Sequence, residues 1–158
     1  MGSRNDSELV TLFLTSLPSE DRLATLLIER YRPLDVAAGL GNTETVSSIL
    51  DNLTHEHQWC LVFTEAGEDG TVLHKASVQG HTPTVKTVLE YFTPEQQLQL
   101  ISVKNMRRKT AMQSAAEQGH ADTKTLLREY IQQTENLINK TKQGDVIWWL
   151  PTSTSNIA

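Results

Sequence analysis

The sequence predicts an all-α solenoid of about three repeats, and three observations predict it. The first is spacing. The stretch Thr71-Val72-Leu73-His74-Lys75-Ala76-Ser77-Val78-Gln79-Gly80-His81 returns thirty-nine residues downstream as Thr110-Ala111-Met112-Gln113-Ser114-Ala115-Ala116-Glu117-Gln118-Gly119-His120. Thirty-nine residues upstream, Arg32-Pro33-Leu34-Asp35-Val36-Ala37-Ala38-Gly39-Leu40-Gly41-Asn42 keeps the same register. A fixed period of about 20–50 residues marks an array in which each unit buries its apolar face against its neighbours. The second observation is a helical stripe that follows each copy: Val46, Ile49, Leu50 and Leu53, then Val85, Val88, Leu89 and Phe92. The third is composition. A chain of 158 residues, 38% hydrophobic and 21% charged, has the balance and length of one folded domain.

Taken in order, the chain opens on the same stripe, with Val10, Phe13, Leu14 and Leu17 on one helical face. It therefore begins at the second helix of a unit whose first helix is absent. Residues 1–31 read as N-terminal capping helices or a partial repeat; the alternative is that the chain belongs to a longer array. After each striped helix comes a new start signal: Leu17-Pro18-Ser19-Glu20, Leu53-Thr54-His55-Glu56 and Phe92-Thr93-Pro94-Glu95. Thr93 suits the N-cap, Pro94 the first helical position and Gln96 the reciprocal capping position, so a short extra helix should follow. Its apolar residues are Leu23, Leu26 and Leu27, then Trp59, Leu61 and Val62, then Leu98, Leu100 and Ile101.

A polar turn leads into the next unit. Glu65-Ala66-Gly67-Glu68-Asp69-Gly70 contains an Asp-Gly hairpin signal, whereas Asn105-Met106-Arg107-Arg108-Lys109 lacks glycine and predicts an open turn. Small residues in the following helix, Ala76 with Ser77 and Ala115 with Ala116, let neighbouring units approach, and Gly80 or Gly119 ends that helix. The third unit departs from the pattern: Lys124 replaces the inward Val46 and Val85, and its second helix runs on through Tyr130 and Ile131, as a terminal unit with a polar outer face requires. The repeat domain spans 32–139. A flexible tail, 140–158, carries one isolated apolar run, Val146-Ile147-Trp148-Trp149-Leu150. The preferred reading folds this run over the apolar end of the third repeat; the other makes it a docking peptide for a second protein.

The net charge of −5 argues against a general nucleic-acid binder, but the charge is uneven. Residues 1–99 hold six Lys/Arg against fourteen Asp/Glu, while residues 100–142 hold eight against four. No apolar run reaches the roughly 18–20 residues of a membrane span, and early charges break any secretory leader, so an intracellular, cytoplasmic chain is expected. Cys60 is the lone cysteine. The sequons at Asn52 and Asn139 are taken as chance, and Asp6 stands where a myristoylation signal wants Ser or Thr.

His55, His57 and Cys60 invite a metal reading that their spacing opposes. His55 and His57 point to different sides of a helix, and His57 with Cys60 supplies two ligands where a structural zinc needs four. Cys60 is expected to be buried beside an inward Trp59. No nucleophile elbow, phosphate loop or paired carboxylate motif is present, so neither catalytic nor metal residues are assigned and no cofactor is expected.

These repeats resemble the ankyrin repeat, in which a Thr-Pro-Leu-His segment opens the first helix, Ala-Ala packs on the next unit and Gly-His turns. Thr71-x-Leu73-His74-x-Ala76 with Gly80-His81 carries the resemblance, as do Ala115-Ala116-x-x-Gly119-His120 and Pro33-Leu34 with Ala37-Ala38. The ankyrin period is 33, so six extra residues per unit fall to the extra helix. The opening His is Asp35 in the first copy and Gln113 in the third. The resemblance implies a non-catalytic module that binds another protein through its concave face, acting as a monomer and taking no nucleic acid, membrane or small-molecule substrate. Alternatives are an architectural piece of a longer array and a stand-alone inhibitor of a signalling protein. Carried over position by position, the partner surface comprises Arg30, Tyr31, Glu68, Val78, Gln79, Arg107, Arg108, Lys109, Glu117 and Gln118, acidic at the second tip and basic at the third.

Overall fold

The computed structural model describes residues 3–26, 32–64 and 69–142. Ten helices and no strands are found among them. The periodicity maps onto three ranks. The inner helices α3 (Pro33–Gly39), α6 (Val72–Val78) and α9 (Ala111–Glu117) have seven residues each and lie side by side, α6 touching both others. The outer helices are α1 (Ser3–Ser16), α4 (Thr43–Asp51), α7 (Thr82–Glu90) and α10 (Ala121–Lys142), each packed on the one before. The extra helices are α2 (Ser19–Leu26), α5 (His55–Phe63) and α8 (Pro94–Ser102). Val46, Ile49, Leu50, Val85, Val88 and Leu89 are fully buried, so the helical stripe is the core.

The extra helices are bound by a hydrogen bond that the repeat copies. Gln58 Nε2 donates to the carbonyls of Leu50 and Leu53 at the end of α4, and Gln97 Nε2 donates to those of Leu89 and Phe92 at the end of α7. These are the carbonyls a helix leaves unpaired at its C-terminus. Arg22 does the same work in the leading unit, donating to Leu17 and reaching Asn52 of the next. α1 and α2 thus repeat, at this contact, the arrangement of α4 and α5. Starts follow the expected chemistry: Thr93 and Gln96 form a reciprocal capping box, as do Thr110 and Gln113.

Adjacent units interlock at the glycine turn. Gly41, Gly80 and Gly119 have φ of 72°, 74° and 79°. A β-carbon on Gly41 would lie 2.5 Å from His81 Nδ1 and one on Gly80 2.5 Å from His120 Nδ1, so each ring occupies the space glycine frees in the preceding unit. His81 Nε2 also donates to the Gly39 carbonyl at 3.0 Å. On the outer rank, Thr43 meets Thr84 and Thr82 meets Thr123, each hydroxyl pair 2.8 Å apart.

Two expectations need correction. Cys60 is exposed, not buried. Leu61 and Val62 take the inward stripe of α5, and a step of about 100° per residue turns Cys60 away from it. Trp59 is half-buried, stacked on Phe63 and edge-on to Phe92 with ring centroids 4.8 and 5.2 Å apart. Phe13, expected to face inward with Leu14, is exposed although Leu14 is buried. The inner helix that would cover it is missing from the described residues. Leu27 and the Val146–Leu150 run lie outside the described residues.

Candidate functional site

The third inter-repeat turn is the best-defined piece of the candidate partner surface. It is closed, contrary to the open turn expected from its lack of glycine. Asn105 N–H donates to the Lys109 carbonyl and Arg108 N–H to the Asn105 carbonyl, both at 2.9 Å. The Asn105 side-chain oxygen accepts from the Arg107 and Lys109 amides at 3.0 and 3.1 Å. Asparagine thus supplies the bracing that a glycine-based hairpin would not need, and Arg108 takes up the left-handed backbone, φ 60°. The turn presents Met106, Arg107 and Arg108 to solvent.

A buried histidine ties this turn to the preceding unit. His74 Nδ1 accepts from the Thr71 amide at 3.2 Å, which leaves the proton on Nε2, and Nε2 donates to the Lys109 carbonyl at 3.0 Å. The ring is fully buried and spans thirty-five residues of chain. In the first unit the same position is Asp35, and a different device serves. Arg32 Nε pairs with Asp35 at 2.7 Å while its other nitrogens donate to the carbonyls of Leu61 and Thr64 at the end of α5. Burial raises the Asp35 pKa, with Arg32 and then Lys75 pulling it back down. In the third unit Gln113 closes its own cap with Thr110.

The expected site residues separate into three groups. Arg30, Tyr31 and Glu68 lie outside the described residues. Gln79, Arg107, Arg108 and Gln118 are exposed, and Val78 is half-buried; Gln79 and Gln118 hold the same register position, the C-caps of the packed helices α6 and α9. Lys109 and Glu117 form an ion pair with each other, so they neutralise part of the surface instead of offering two separate contacts. At the second tip, Asp69 sits 3.8 Å from Lys75.

Two residues escaped the sequence reading. Val36 on α3 and Leu40 at its C-cap are exposed, four residues apart. They occupy the positions of Lys75 with Gln79 and Ser114 with Gln118, so the thirty-nine-residue register held the signal. His55 Nε2 contacts Gln96 at 3.2 Å and its ring lies 5.9 Å from Phe92, which places it between α5 and the start of α8.

A solenoid of stacked inner helices with charged turns along one edge defines a class of scaffold that presents side chains to a partner. Residues 34–139 match the family described as ankyrin repeats (3 copies), and the chain belongs to that family. Ankyrin repeats are in general protein–protein interaction modules and typically non-catalytic. No curated protein matches the sequence. Among the described residues, no helix is long and apolar enough to cross a membrane.

Proposed function

We propose that this protein is a non-catalytic binding module that holds a partner protein on the concave side of its repeat array, with the third turn as the orienting contact. The observation that carries this reading is the Asn105 turn. Four hydrogen bonds fix its backbone, one of them cross-braced by the buried His74, and it projects Arg107 and Arg108 from a chain that is otherwise acidic. Pre-organised cations fix a partner's orientation and raise its on-rate more than its affinity. Gln79 and Gln118 supply adaptable hydrogen bonds beside them, and Val36 with Leu40 supplies an apolar contact at the first unit.

In the monomer the partner-binding domain is residues 32–139, with 1–31 as its leading cap. A cytoplasmic location and the absence of a cofactor or small-molecule substrate accompany this reading. The test is affinity capture from lysate with the intact chain and with the Arg107→Glu, Arg108→Glu double variant, both checked for helicity by circular dichroism. The reading expects a captured protein that the variant loses without a change in melting temperature. Equal capture by both chains would remove the third turn from the binding surface.

A further inference from the structure

The C-caps of the three inner helices, Leu40, Gln79 and Gln118, hold one register position and are all exposed. Exposure belongs to the position itself, because Gln79 and Gln118 stay exposed on helices that have an inner helix on their leading side. Since α3, α6 and α9 pack side by side, the three residues form a row with steps of about 8–10 Å, the usual distance between packed helix axes. The row is not uniform. It begins on Leu40, 73% exposed, and continues on two uncharged amides.

Charges beside this row are mostly spent within the chain. At the second unit Lys75, one helical turn before Gln79, pairs with Asp69. At the third, Glu117, adjacent to Gln118, pairs with Lys109. Arg107 and Arg108 differ: both are exposed, and among the described residues neither side chain is in an ion pair. The Asn105 hydrogen bonds hold the backbone that carries them, and the Lys109–Glu117 pair joins their turn to the end of α9. The chain thus leaves two things uncompensated: an apolar side chain at the first unit and a pair of cations at the third, two steps or about 16–20 Å further along the row.

The register also limits the sign of what fits. Lys104, Arg107 and Arg108 stand at the positions that Glu65, Glu68 and Asp69 hold one unit earlier, so the charge reverses in register from one connection to the next. A uniform polyanion would meet three carboxylates one unit away from the arginines, which confines the partner's negative charge to the third unit.

We infer, resting on the concave-face reading above, that the occupant is an acidic peptide segment of another protein. It lays Asp or Glu side chains against Arg107 and Arg108 and an aliphatic side chain against Leu40, with an uncharged stretch over Gln79 and Gln118 between them. The two anchors fix its direction across the array.

The test is selection of displayed random peptides of about sixteen residues, long enough for an extended or a helical segment, on the immobilised full chain. The enriched sequences should share Asp or Glu at one end and an aliphatic residue at least about five positions away in an extended segment, or at least about eleven in a helical one. On the Arg107→Glu, Arg108→Glu chain the preference should reverse to Lys and Arg, and a peptide selected on the intact chain should lose affinity by at least about tenfold. Arg107→Glu alone repeats this arm should the double variant melt at a lower temperature, since it leaves the left-handed Arg108 unchanged. Leu40→Gln installs the side chain that the other two units carry at this position. It should remove the aliphatic preference and keep the acidic one. No enrichment on the intact chain, enriched peptides without an acidic end, or the same acidic peptides recovered on the charge-reversed chain would each overturn the inference, as would an aliphatic preference that survives Leu40→Gln. A lysate protein that the double variant fails to capture, alongside a selection with no acidic preference, would leave the proposed surface standing and remove the acidic segment as its occupant.

Discussion

Among the described residues, the first and last outer helices of this array follow one pattern and are packed to different extents. At the C-terminal end α10 is extended to twenty-two residues, lays Tyr130 and Ile131 along the core and turns a polar surface outward. α1 and α2 repeat the arrangement of the later outer and extra helices, down to the Arg22 hydrogen bond, but leave Leu9, Leu12 and Phe13 exposed among the described residues. The lesson is that register alone does not decide burial. A residue in the core stripe is buried only when the unit supplies both of its neighbours, which is the quasi-one-dimensional logic of solenoids.

The sharpest way to break this comparison is to delete side chains at equivalent positions. Ile49→Ala removes a fully buried side chain from a complete unit and should cost about 2–5 kcal/mol by chemical denaturation. Phe13→Ala, in the same stripe on α1 but 55% exposed, should cost less than about 1 kcal/mol in the same measurement. Comparable losses would mean that the leading unit is packed as completely as the interior ones.

The glycine turns give a second pairing. Gly80→Ala places a methyl against the His120 ring and strains the left-handed backbone, for about 2–4 kcal/mol in total. Gly119→Ala carries the backbone strain alone, because a β-carbon there meets nothing within 4 Å, and should cost about 1 kcal/mol. Thermal or urea unfolding of the two variants reads the difference directly; equal costs would contradict the interlocking of ring and glycine.

A smaller effect comes from Tyr91, whose hydroxyl donates to Asp51 at 2.6 Å across two outer helices. Burial, then the Asp51 bond, pushes its pKa up to about 12 from 10.0. The neutral phenol is the form the fold favours, so its stabilisation is fully present below pH 10 and is lost as pH rises through about 12. Tyr91→Phe should cost about 1 kcal/mol at neutral pH and remove one late phenol from an ultraviolet titration. The gap between the two proteins should close above pH 12. Tyr130, raised by burial and then by Glu90, keeps a late phenol in the variant, so the account expects one late phenol fewer; a variant that loses none would contradict the assignment to Tyr91.

Much of this was legible in the sequence. The thirty-nine-residue period fixed the three ranks, and Thr93-Pro94-x-Gln96 located an extra helix with its cap, because capping is local chemistry that needs no tertiary information. Burial of Cys60 and Phe13 was not legible, since each depends on which neighbour sits opposite. The closed third turn was not legible for a different reason: the absence of glycine predicts an open turn, whereas the Asn105 side chain provides the bracing. For the candidate site, the register correctly made Gln79, Gln118, Arg107 and Arg108 solvent-facing, but it could not show that Lys109 and Glu117 spend their charges on each other. Val36 and Leu40 are readable from the same register, since they hold the positions of Lys75 and Gln79.

The measurement that tests the account most directly is a hydrogen-exchange footprint of the protein with and without its captured partner. The account predicts new protection at Asn105–Thr110 and at the ends of α6 and α9, around Val78, Gln79 and Gln118, with the outer helices unchanged. Protection confined to α1 and the extra helices, with the third turn exchanging as in the free protein, would contradict it.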